Sequence, residues 1–155
     1  MFNDVVLTSP PTPFQMKTEF RFFSTAFNIT DPKDYFINDC CFGDDVAGWL
    51  AARLQEQGIQ TTEPGQEDFG WYFTFSIGEA EHCVVIGFQP NDLTVGEQWL
   101  GSVERQKGLF GSLFGGRQRD ILPEAIEAID TALRSSPEIQ KLSWHEFGSP
   151  DDGGD

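Results

Sequence analysis

Cationic side chains are scarce in this chain. Ten Lys and Arg stand against 25 Asp and Glu in 155 residues, a formal net charge of -15. Binding to free nucleic acid rests on clustered cations that displace phosphate counterions. A body this acidic repels such a polyanion, which excludes free nucleic acid as a partner but leaves open the basic proteins that handle it. Cysteine is sparse too: three residues, two of them adjacent at Cys40 and Cys41. A secreted disulfide framework uses an even number at loop-closing spacings, so none is expected. No stretch approaches the ~20 apolar residues of a membrane span. The opening Met1-Phe2-Asn3-Asp4-Val5-Val6-Leu7 lacks the basic start and long apolar run of a signal peptide. These absences point to a reduced, cytoplasmic protein with the general look of a small acidic bacterial one.

Metal ligands are equally few. Cys40, Cys41, His82, Cys83 and His145 are the only Cys and His residues, without Cys-x-x-Cys or His-x-x-x-His spacing. A zinc site needs about four such ligands in convergent positions, so no metal is expected. Nor is any cofactor, because the glycine-rich stretch around Gly108–Gly116 lacks the Gly-Lys-Ser/Thr ending that cradles phosphates.

What the chain has in plenty is aromatic: 15 Phe and four Trp, enough for a core of packed rings. A chain of this length typically buries roughly 70% of its unfolded surface, which suits one domain over residues 1–148. Ser9-Pro10-Pro11-Thr12-Pro13 makes residues 1–13 an extended lead-in. Residues 149–155, polar and glycine-rich, read as a disordered tail.

Between these ends the pattern alternates strand and helix. Glu19 to Ile29 is a Phe-rich strand ended by Asp31-Pro32. Asp44 to Gln57 is a helix with Val46, Trp49, Leu50 and Leu54 on one face, Asp44 or Asp45 as its N-terminal cap, and Gly58 at its end. Ile59 to Glu63 starts a short strand. Phe69 to Ile77 alternates cleanly, with Phe69, Trp71, Phe73, Phe75 and Ile77 on one side. A turn at Gly78–Glu81 leads into His82 to Phe88, giving a hairpin. Glu97 to Val103 is a further strand, Leu122 to Arg134 a second helix with Pro123 in its first turn, and Leu142 to Phe147 a last strand. Neighbouring strands pair antiparallel, and two amphipathic helices need a sheet face to cover. The fold class expected is α+β, a two-layer sandwich of a mainly antiparallel sheet with both helices on one face.

Charge is unevenly placed. Asp31 to Glu104 holds 14 Asp and Glu against Lys33 and Arg53 alone, whereas the next 15 residues carry Arg105, Lys107, Arg117 and Arg119 and no carboxylate. That segment, 105–119, repeats Gly-Leu-Phe-Gly and Leu-Phe-Gly-Gly and is too glycine-rich for a helix or strand, so it reads as a mobile loop. Leu109, Phe110, Leu113 and Phe114, flanked by Arg117 and Arg119, are the candidate partner-binding residues. The alternatives for this loop are a tuck onto the core, a second copy of the chain as a homodimer partner, or a lipid surface, the last opposed by the negative body.

Two further clusters bear on chemistry. Asp39, Cys40, Cys41, Asp44 and Asp45 crowd a helix start, where a thiol pKa falls and a hydrolase or thiol enzyme could be built; a helix cap with buried thiols is the simpler reading. Glu63, Glu67 and Asp68, with the same aspartates, form an acidic cluster suited to acid–base work only if burial brings them together. His82, at a hairpin turn, reads as a solvated or edge residue. No catalytic set is assigned. The expectation is a non-catalytic protein-binding module, inhibitor- or immunity-like in charge and length, that offers carboxylates to a basic protein.

Overall fold

Rings recur at every second position in several stretches of the chain, which dictates strands with one buried face. The computed structural model describes residues 16–29, 31, 33–36, 42–67, 70–89, 98–106 and 120–147. The lead-in at 1–13, the strand residues Phe69 and Glu97, and the tail at 149–155 lie outside the described residues. Within the described residues the order is β1 (Lys17–Phe23), α1 (Asp44–Glu56), β2 (Gly65–Glu67), β3 (Gly70–Ile77), β4 (Ala80–Gln89), β5 (Gln98–Arg105), α2 (Pro123–Arg134) and β6 (Gln140–Glu146). The strands form one antiparallel sheet, ordered β2-β3-β4-β5-β1-β6. With two helices beside it, the architecture is the expected α+β arrangement.

Register explains which face is buried. Trp71 pairs with Ile86, Phe73 with Val84, Phe88 with Trp99, Phe22 with Trp99 and Phe20 with Gly101. Residues directly opposite each other share a face. That face shares one core with Val46, Ala47, Leu50 and Leu54 of α1 and Ala125, Ile129 and Leu133 of α2. Trp99 is the hub, with the rings of Phe88, Phe27 and Phe22 centred 5.1, 5.8 and 6.4 Å away. Each such side chain contributes about 1.5–3 kcal/mol by leaving water. The helices are tied to each other as well, through Gln57 Nε2, which donates to the Ala128 carbonyl at 3.1 Å.

Three local expectations need correction. β1 stops at Phe23, well short of Ile29. Beyond it Ser24 Oγ accepts the Ala26 N–H, and Asn28 bonds both the N–H and the carbonyl of Asp31, so side chains take the backbone groups a ladder would use. Residues 59–63 form no ladder; Thr61 bridges Phe75 singly, and β2 lies later, at Gly65–Glu67. Thr62 spends both its N–H and its hydroxyl on Thr74, and Pro64 has no N–H to offer. The N-cap of α1 is Gly43, at φ 142, with no side-chain cap; Asp44 and Asp45 stand in the first turn. Gly58 does take the left-handed conformation expected of it, at φ 84. Pro123 opens α2 as expected, at the first helical position after Leu122.

Candidate functional site

The acidic, thiol-bearing cluster is only partly within view. Asp39, Cys40, Cys41 and Asp68 lie outside the described residues. Asp44 accepts a hydrogen bond from the Tyr35 hydroxyl, and this bond first, with burial next, raises the phenol above its ordinary range. Asp45 accepts the backbone N–H groups of Asn28 and Val46, both at 2.8 Å. Burial nevertheless lifts its carboxyl above the usual range, with the Asp44 charge adding to it. Both aspartates therefore hold local backbone and side chains around the start of α1. Glu63 and Glu67 are exposed beside the edge strand β2.

The partner-binding candidates Leu109, Phe110, Leu113, Phe114, Arg117 and Arg119 also lie outside the described residues. What the fold does show is the base from which that segment departs and to which it returns. Arg105, expected as the first loop residue, is instead the last residue of β5 and sits opposite His82 of β4. Gln106 extends the pairing by donating its N–H to the Glu81 carbonyl at 2.8 Å. Arg105 Nη1 then donates to the carbonyl of Asp120 at 2.6 Å, closing the base. Asp120 holds φ 62, a left-handed geometry that Asp tolerates better than most residues.

His82 is the centre of this base, and its placement overturns the solvated-residue expectation: it is 0% exposed. The reason is parity. His82 shares a strand face with Val84 and Ile86, and it pairs with Phe75, whose ring stacks on the imidazole with centroids 5.5 Å apart. Nδ1 lies 3.1 Å from the Ala80 carbonyl, and Nε2 accepts the Leu122 N–H at 3.2 Å. A carbonyl only accepts and a backbone N–H only donates, so the proton must sit on Nδ1. Burial pushes the imidazole pKa down, the Ala80 bond opposes this, and the Arg105 charge lowers it further. Leu122 is the N-cap residue of α2 and brings no capping side chain; His82 thus satisfies a donor at the helix start that the local sequence leaves unmet.

The sheet's other face is partly open. Two adjacent rows, Val85–Ser102–Glu19 and Gly87–Leu100–Arg21, floor a shallow depression of about 300 Å³. Gly87, which has no side chain, is among the residues that line it. On the neighbouring edge strand, Ser143 Oγ and His145 Nε2 are 2.7 Å apart, opposite Arg21 and Glu19. Cys83 is buried, its sulfur near the Val84 carbonyl. Among the described residues, no three His, Cys, Asp or Glu side chains converge as a metal would require. Likewise none of the described helices is long and apolar enough to cross a membrane.

A scan against protein-family models matched none, and neither the curated proteins nor the solved structures gave a match to this chain.

Proposed function

We propose that this chain is a non-catalytic binding module of the reduced cytoplasm that captures a basic protein. Leu109, Phe110, Leu113 and Phe114, with Arg117 and Arg119, are its apolar contact residues, and the acidic surface is its means of attraction. The observation that supports the reading is the state of the carboxylates. Glu63, Glu67, Glu79, Glu81, Glu124, Glu127 and Glu138 are exposed and have no ion pair among the described residues. Lys33–Asp31, Arg53–Glu56 and Arg134–Asp130, ion pairs among the described residues, use cations the chain has few of. An acidic surface with few internal countercharges draws a cationic protein at long range and orders the encounter.

The test is capture on an immobilised chain at about 50 mM and about 500 mM salt, a range over which the screening length falls severalfold. Basic proteins identified by mass spectrometry should be retained at low salt and released at high salt. A Phe110→Asp, Phe114→Asp double variant should lose them while keeping its folded spectrum. Recovery of no partner at low salt, or equal capture by the double variant, would count against the module and against the apolar contact respectively.

A further inference from the structure

We propose that His82 is an acid-operated latch on the start of α2: protonation at Nε2 removes the acceptor of the Leu122 N–H, and the turn at residues 120–122 detaches from β4 while the sheet stays folded. The inference goes beyond the partner-capture reading and stands independently of it.

The geometry makes the imidazole a two-position device. In the closed state Nδ1–H faces the Ala80 carbonyl and the Nε2 lone pair faces Leu122 N–H, so both nitrogens are satisfied in a site with no exposure. A proton taken from water can go only to Nε2, and that nitrogen then becomes a donor facing a donor. The contact turns from attractive to repulsive. Two fixed charges oppose the new cation: the Arg105 guanidinium on β5 and the positive start of α2. From β3 the neighbour is the Phe75 ring, which carries no charge. Arg105 is the charge that bears on the ring, while the carboxylates on the adjoining segments, Glu81 of β4, Asp120 and Glu124 at the start of α2, are exposed, where water screens them. The imidazolium is therefore relieved by solvation, and solvation requires the 120–122 turn to move. Leu122 caps α2 without a side-chain bond and Asp120 is left-handed, so once the imidazole lets go the turn is held by the Arg105 bond to the Asp120 carbonyl and by buried Ile121. The backbone pairing of β4 with β3 and β5 around His82 does not run through the ring.

The test is ¹⁵N NMR of the full chain with amide exchange, at about pH 7.5 and about pH 5.5, either side of the free imidazole pKa. Expected at the higher pH is a neutral His82 with the proton on Nδ1 and a protected Leu122 amide. At the lower pH Leu122 protection, corrected for intrinsic exchange, should fall by up to about tenfold, the limit for one linked proton. Phe73 and Val84, at the sheet centre, should keep theirs. An Arg105→Gln variant, which removes the facing cation, should move His82 titration to higher pH. In a His82→Gln variant the Leu122 amide should lose its dependence on acid. Uniform loss of protection at Leu122, Phe73 and Val84 would mean global unfolding and overturn the latch. So would acid-independent Leu122 protection in the parent chain, a proton on Nε2 at the higher pH, or no movement of the titration in Arg105→Gln.

Discussion

A methyl group is enough to test how tightly the core rings are held. Gly101 pairs with Phe20, and a Cβ built there would lie 2.1 Å from the ring's Cζ. The ring cannot swing aside, because Phe20 is wholly buried with Trp144 centred 5.2 Å away on one side and Phe22 at 6.3 Å. Gly101→Ala should therefore cost about 1–3 kcal/mol of unfolding free energy by overpacking. Gly48 is the contrast. It sits inside α1, and a methyl added there would meet nothing within 4 Å, so Gly48→Ala should gain about 0.5–1 kcal/mol from helix propensity. Urea denaturation of the two variants reads both signs, and a stable Gly101→Ala would mean that Phe20 has room to move. At this scale the sequence was legible where side chains alternate and opaque where a partner decides. The run Phe69 to Ile77 announced Trp71, Phe73 and Phe75 as core. His82 looked like a turn residue, although its parity with Val84 and Ile86 was there to be read; its Leu122 contact, 40 positions away, was not.

Between elements, one carboxylate joins α2 to β6. Asp130 Oδ1 accepts from Trp144 Nε1 at 2.9 Å, and both its oxygens accept from Arg134 Nε. The two bonds differ in worth. The Arg134 pair is largely exposed, and such pairs contribute about 0–1 kcal/mol. The Trp144 bond joins a half-buried indole to an ionised acceptor and orients the ring that flanks Phe20. Asp130→Ala should cost about 1–2 kcal/mol, and Arg134→Ala less than about half of that, by chemical denaturation. Asp130→Asn keeps an acceptor for the indole and should fall between them. If Arg134→Ala cost as much as Asp130→Ala, the ion pair rather than the indole would be the tie. Element positions were readable from periodicity, as with the Val46, Leu50 and Leu54 stripe of α1 and the Ile129 and Leu133 stripe of α2. The end of β1 and the start of β2 were not. β1 ends early, and β2 falls at Gly65–Glu67, because Ser24, Asn28 and Thr62 bond backbone groups in ways that no periodicity records. The candidate contact residues Leu109 to Arg119 stood out by composition alone, whereas the meeting of Arg105, Asp120 and His82 depends on three segments coming together.

Across the whole molecule two electrostatic effects act in different ways, and salt separates them. The net charge of -15 makes the folded chain repel itself. Exposed charges are screened by ions, so raising salt from about 20 mM to about 500 mM at neutral pH should raise the melting temperature. His82 behaves otherwise, because it is buried and its partners are fixed. Its folded pKa lies below its unfolded value of ~6.5, so the neutral ring's contribution is complete above that value and is lost as pH falls below it. Between pH 7 and pH 5.5 one such group can remove up to about 1.3 kcal/mol. Asp45 works in the opposite sense. Its raised carboxyl takes up a proton more readily in the folded state and so adds stability on acidification, opposing the His82 loss. The acid loss between pH 7 and 5.5 should therefore persist at high salt and vanish in His82→Gln, while the salt gain should be the same in both proteins. An acid loss that disappeared with salt would assign it to exposed charge instead, since what keeps the folded ring neutral is chiefly the desolvation of its charged form, which ions in solution screen little.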